Sequence, residues 1–301
     1  MKEKKEAPQT QETEYFDGIN GQPSFEGLSQ YCPPHCFELD GRALHLVMDS
    51  GYEYDLVFAR ETVRWGKTGE EPRSDEYVCL KAEDRTFFIN AEITGVVPRL
   101  GLSLILDDEN ALVTVLEARQ GWNPKYPYLV SLKAHFGAVA IEGQPLNPRR
   151  HGYTADLVGK AAEWTYSPDF KITHVYRSER YYNIVAPSPE VLSQKNLEEI
   201  RMAHEVIWKG YDDPTEPALY IKIKEGIYVF SFVEEHMEKL TGPLVRGNSL
   251  AFLMNLKRMT DVGRSFGING KQEPENYCFG AYGRFVEYPK EYRDYDSVYF
   301  T

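Results

Sequence analysis

The stretch that constrains this chain most is residues 219–234, LYIKIKEGIYVFSFVE, because it spells strand, turn, strand and closing carboxylate, and because it occurs twice. The weaker copy is residues 77–92, YVCLKAEDRTFFINAE, which after a one-residue gap keeps the β-rich arms, the polar turn and the terminal Glu. Side chains alternate across a strand, so Tyr228, Phe230, Phe232 and Glu234 share one face and Ile227, Val229, Ser231 and Val233 the other. The same counting in the first copy puts Thr86, Phe88, Asn90 and Glu92 together, which keeps the acid and loses most of the aromatic wall.

Other segments repeat in the same order. Residues 157–166, LVGKAAEWTY, restate residues 39–48, LDGRALHLVM; Val206 to Trp208 answer Val63 to Trp65; FGAY at 279–282 answers FGAV at 136–139. Ordered correspondences of this kind predict an internal duplication. Between them lie short β-like runs at hairpin spacing with almost no helical periodicity, so each copy is a meander that must close on itself to remove its edges. An up-and-down barrel is the economical closure. The predicted fold is all-β, two tandem antiparallel β-barrels at 38–146 and 152–287, joined across a Pro- and Gly-rich segment at 144–152. A polar tail and loop, 1–37, precede them, and an aromatic, charged tail, 288–301, follows. Residues 188–200, SPEVLSQKNLEEI, carry an N-cap Ser and Pro at the first helical position, which predicts a short helical insertion in the second barrel.

Composition supports two cores, with 42% hydrophobic and 13% aromatic residues in 301. A net charge of -12 disfavours nucleic acid or an anionic membrane surface as the main partner. No apolar run of about 18 residues is present and no apolar stretch follows the N-terminal lysines, so a soluble, cytoplasmic protein is expected. Four cysteines do not make a disulfide scaffold in a chain of this length; Cys79 and Cys278, inside strand-like runs, read as buried thiols. The CPPHC segment gathers Cys32, His35 and Cys36, but three ligands packed this closely with no second half elsewhere is poor zinc spacing. It reads as a rigid loop, and no metal is expected.

No Gly-rich phosphate loop, nucleophile elbow or His-Glu-x-x-His motif occurs. The inside of a barrel is then the default small-molecule site. Trp164 and Tyr166 share a face, as do Ile172, His174 and Tyr176, whereas the first copy has Leu46 and Met48 in place of Trp164 and Tyr166. An aromatic, polar-tipped lining suits a planar ligand, and Leu and Met suit a filled core. The site is therefore placed in the C-terminal barrel and the N-terminal one given a structural role. Plain core remains open for Trp164, Phe230 and Phe232, a hydrogen-bonded core histidine for His174, and an exposed strand end for Glu234. Arg64, Arg264 and Arg284 are candidate partners for a ligand carboxylate.

Taken together, LVGKAAEWTYSP at 157–168, EGIYVFSF at 225–232 and FGAYG at 279–283 resemble the molybdenum cofactor biosynthesis protein F family, over nearly everything beyond the N-terminal tail. The resemblance implies two tandem lipocalin-like (calycin) barrels and, by the family's name, a connection with molybdopterin. More distantly, WTY at 164–166 and residues 225–234 resemble phenolic acid decarboxylases, which are single lipocalin-like barrels that use no cofactor. By that resemblance Tyr166 matches the second of two site tyrosines and Glu234 the site glutamate; Trp164 replaces the first tyrosine, and the site arginine falls near Tyr211. In that chemistry a para-hydroxyl is deprotonated, charge pushed through the ring forms a quinone methide, and Glu234 delivers a proton to the side-chain carbon.

Three functional readings follow. The first is a binder of a small aromatic or pterin-like molecule in the C-terminal barrel, lined by Trp164, His174, Tyr176, Tyr228, Phe230 and Phe232. The second is a cofactor-independent carbon-carbon lyase on a phenolic acid, with Tyr166 and Glu234 catalytic. The third is a non-catalytic interaction protein with filled barrels, whose Tyr-rich tail is a candidate homo-oligomer contact.

Overall fold

The structure, a computed structural model, describes residues 29–122, 129–168, 170–185, 215–234, 247–268, 273–290 and 292. The predicted helical insertion, the Val206 to Trp208 correspondence and most of both tails lie outside them. Eight strands follow the first turn: β1 Ala43–Met48, β2 Glu53–Phe58, β3 Thr62–Lys67, β4 Arg73–Glu83, β5 Thr86–Ile93, β6 Arg99–Asp107, β7 Leu112–Gln120 and β8 Val130–Ala140. Each pairs antiparallel with the next, and β8 returns to β1 through Leu46↔Val139, which closes a barrel. A two-residue strand β9, Gly152–Tyr153, leads to a second set: β10 Lys160–Ser167, β11 Phe170–Tyr176, β12 Tyr181–Val185, β13 Thr215–Lys224, β14 Ile227–Val233, β15 Gly247–Asn255, β16 Thr260–Ile268 and β17 Pro274–Val286. These eight close in the same order, with Trp164↔Gly283 joining β10 to β17 and Tyr182↔Glu216 joining β12 to β13. Strand β9 adds to β13 at Ile221↔Tyr153.

The duplication is visible in the turns. Gly41 and Gly159 open the two barrels with φ 76° and 77°, a left-handed conformation that a side chain would strain. Each N–H donates across to the end of the second strand, to Phe58 O and Tyr176 O, both at 2.9 Å. The β4–β5 and β13–β14 hairpins carry a bulge at the same place, between Lys81 and Glu83 and between Lys222 and Lys224. Arg85 and Gly226 turn left-handed just after it.

Those bulges correct the register read from sequence. Lys81 pairs with Phe87 and Lys222 with Tyr228, so Phe87, Ile89, Ala91 and Ile93 correspond to Tyr228, Phe230, Phe232 and Glu234. Glu92 therefore corresponds to Val233, not to Glu234. It does not face Leu46 and Met48; its carboxylate is held by Arg99 at 2.8 and 3.0 Å, and Arg99 also donates to Gly267 O in the other barrel at 2.9 Å. The FGAV and FGAY segments slip by one residue in the same way. Leu46 pairs with Val139 and its counterpart Trp164 with Gly283, so Ala138 corresponds to Tyr282.

The two barrels share an apolar seam. From the first come Val78, Leu80, Phe88, Ile105 and Leu116; from the second Ile221, Ile227, Val229, Leu253 and Val262. Most of these are fully buried, and removing each from water is worth about 1.5–3 kcal/mol. Each barrel thus has an inner core and contributes part of its outer wall to a third. Arg264 also lies in this seam, completely buried, and none of its three guanidinium nitrogens has a hydrogen-bond partner among the described residues. It packs over Gly101, where a Cβ would collide with it.

The first barrel is not filled as expected. Leu46 and Met48 line a cavity of about 290 Å³. The reason is volume: around a similar circumference, Leu46, Ile89, Ala91 and Leu104 stand where the second barrel has Trp164, Phe230, Phe232 and Phe252.

The CPPHC loop spreads its side chains. Cys32 packs into the seam, Cys36 packs against the first core with its N–H on Cys79 O at 2.7 Å, and His35 Nδ1 accepts from Cys79 N–H at 3.4 Å. Among the described residues no group of three His, Cys, Asp or Glu is placed to hold a metal ion, and no helix is long and apolar enough to cross a membrane.

Candidate ligand site in the C-terminal barrel

Alternation along β10, β11 and β14 sends the predicted lining inward. Trp164, Tyr166, Tyr176, Tyr228, Phe230 and Phe232 all belong to the second inner core. Phe230 is the hub, with ring centroids of His174, Tyr176 and Tyr182 at 5.1, 5.3 and 4.9 Å. Tyr220 and Phe252 stack on it at 5.5 and 5.3 Å. Room for this many rings is made by cross-strand glycines. A Cβ on Gly283 would run into Trp164, and one on Gly263 into Phe279, so each ring lies against bare backbone.

The polar tips are the informative part. Trp164 Nε1 donates to Tyr176 Oη at 3.3 Å, and Tyr176 Oη reaches Met254 Sδ at 3.4 Å. Tyr166 Oη donates a long bond, 3.5 Å, to Asp261 Oδ2. Burial pushes the Asp261 carboxyl up to about 8, so at neutral pH it carries a proton and is itself a donor. Its other oxygen, Oδ1, has no hydrogen-bond partner among the described residues, and neither has Tyr182 Oη nor His174 Nδ1. Burial holds His174 down to about 3, so its imidazole is neutral. Burial first, and then the carboxylates of Glu216 and Glu234, raise the Tyr182 hydroxyl well above its ordinary value.

Glu234 sits at the end of β14, 8% exposed, its N–H on Asn248 O at 3.0 Å. Glu216 and Glu275 are buried too; Asn248 Nδ2 and Ser265 Oγ donate to Glu275 at 2.7 and 2.9 Å. Tyr228 stands apart from the other predicted lining residues, because its hydroxyl donates to Asp156 at 2.9 Å, beside the Lys222–Asp156 ion pair. The three candidate arginines are elsewhere. Arg64 is exposed, Arg284 pairs with Glu163 on the outer surface, and Arg264 is in the seam. Arg177, just after β11, is buried as well, and its Nη1 donates to Asn183 at 2.8 Å.

Sequence reasoning missed Asp261, Tyr182 and Glu216. Asp261 was findable: along β16 the inward positions read Asp261, Gly263, Ser265, Gly267, an acid among small residues opposite a wall of aromatic rings. Tyr182 and Glu216 are a cross-strand pair, and only barrel closure brings them together.

Residues 25–121 match the family model described as MoaF N-terminal domain, a span that includes β1 to β7. Among solved structures, the chain is similar to a protein of unknown function of the DUF3598 family from Nostoc punctiforme. That match has 14% identity and a TM-score of 0.34, covering 83% of this chain and 98% of the other. No curated protein matches the chain.

Proposed function

We propose that the C-terminal barrel binds a small planar molecule, pterin-like or phenolic, between its aromatic walls. The observation that carries this reading is the set of buried, unpartnered polar atoms at Asp261 Oδ1, Tyr182 Oη and His174 Nδ1. Leaving such a group unsatisfied costs about 1–3 kcal/mol, and a flat heteroatom-rich ligand seated among these rings would supply the missing hydrogen bonds. The match of the first barrel to the MoaF N-terminal domain model makes molybdopterin-related pterins the first compounds to try. The resemblance of residues 164–166 and 225–234 to phenolic acid decarboxylases adds phenolic acids.

Thermal-shift screening with pterins and phenolic acids, followed by calorimetry, tests this. Tyr182→Phe is expected to weaken the best ligand about 5- to 10-fold by removing one hydrogen bond. No binding by either class, or an unchanged affinity in Tyr182→Phe, would sink the reading. The same screen separates binder from lyase. If a phenolic acid is turned over, Glu234→Gln removes the proton donor and slows it by about 10²–10⁴, whereas a binder shows no turnover in either form. Glu92→Gln changes neither property, because Glu92 belongs to the seam.

A further inference from the structure

The cavity of about 290 Å³ in the first barrel is independent of the site just described and has a different character. Its walls are mostly aliphatic, with Leu46, Ile89, Ala91, Leu104 and Val115 among them, and Phe58 and Trp65 add aromatic surface. Polar groups gather at one end, where Glu117, Arg119 and His135 line it together with Tyr52. There Arg119 Nε donates to Glu117 at 2.6 Å, so the two charges answer each other. His135 Nε2, 3.9 Å from the same carboxylate, is buried and has no hydrogen-bond partner among the described residues.

We infer that this cavity is a second binding site, for a compact, uncharged lipophile with one hydrogen-bonding head. The apolar body lies against Leu46, Ala91 and Leu104, and a hydroxyl or carbonyl group meets His135 Nε2. An anionic head would face Glu117, and a cationic one would displace Arg119 from its partner; a neutral head meets neither obstacle. An apolar cavity of about 150 Å³ holds benzene. Roughly twice that volume therefore suits about a dozen non-hydrogen atoms, at the low end of the size range of ligand pockets.

The test uses one chain length with four heads, decan-1-ol, decane, decanoate and decylammonium, titrated calorimetrically into the full-length protein. Decan-1-ol is expected to bind one per chain, with decanoate and decylammonium at least tenfold weaker. Ala91→Phe installs the residue that fills the equivalent place in the second barrel. It is expected to reduce decan-1-ol binding at least tenfold while the protein still melts cooperatively. Leu104→Phe, which copies Phe252, serves if Ala91→Phe does not fold. His135→Phe is expected to bring decan-1-ol down to the affinity of decane. Saturable binding of none of the four probes, full binding by a folded cavity-filling variant, or tighter binding of decanoate than of decan-1-ol would each overturn the assignment.

Discussion

Replacing Asp261 by Asn tests the electrostatics of the second barrel directly. In the unfolded chain this carboxyl ionises near its ordinary value of 3.8, and in the folded barrel burial moves it up to about 8. Between those two values the folded chain holds a proton that the unfolded chain has released. Stability from this group is therefore fully present below pH 3.8 and is lost as pH rises through 8. The loss runs at about 1.4 kcal/mol per pH unit, so that roughly 4 kcal/mol has gone by about pH 7. Asn does not titrate, and its amide costs about 1–3 kcal/mol where it finds no partner. The variant should thus be the less stable protein near pH 4 and the more stable one near pH 7. The assay is urea unfolding followed by Trp fluorescence at about pH 6 and pH 7.5, with wild type and variant in parallel so that other groups cancel. The difference between them should change by about 2 kcal/mol across that interval. Tyr166→Phe sharpens the test, since the Tyr166 hydroxyl favours the ionised acid, and its removal moves the titration to higher pH. A difference that is flat with pH would show that Asp261 is already ionised in the fold, and the view of it as a neutral donor would fall.

Arg264→Met should stabilise the protein by about 1–4 kcal/mol in thermal unfolding, because a buried guanidinium without a hydrogen-bond partner among the described residues, lying over the Phe266 ring, costs more desolvation than it recovers; burial already holds it down to about 10. A clear destabilisation would mean that the cation is satisfied. Cys36 is held down to about 7 chiefly by the Cys79 thiol that hydrogen-bonds to it, whereas burial pushes Cys278 up. Iodoacetamide near pH 7 should therefore label Cys36 first by mass spectrometry, and equal labelling of Cys278 would contradict this. Residues 152–301 expressed alone would expose Ile221, Ile227, Val229 and Leu253 and should self-associate or lose a cooperative transition. A monomeric fragment that unfolds cooperatively would show that the second barrel does not need the seam.

The amino-acid pattern by itself determined the class and the repeat. Alternation sent Trp164, Tyr166, His174, Tyr176 and Phe230 to one face each, and closure of a meander with no free edge put those faces inside a barrel. It could not decide which of two buried faces points inward. Along β5 nearly every residue is buried, because one face fills the first barrel and the other packs on the second; the alternation that marks a half-exposed strand is lost there. Position in the chain matches Glu92 with Glu234, although a bulge present in both hairpins sets them one residue apart and on opposite faces. The cavity behind Leu46 and Ala91 and the meetings of Tyr166 with Asp261 and of Tyr182 with His174 depend on how much volume eight strands enclose and which residues lie across from one another. Those quantities exist only once the barrels have closed.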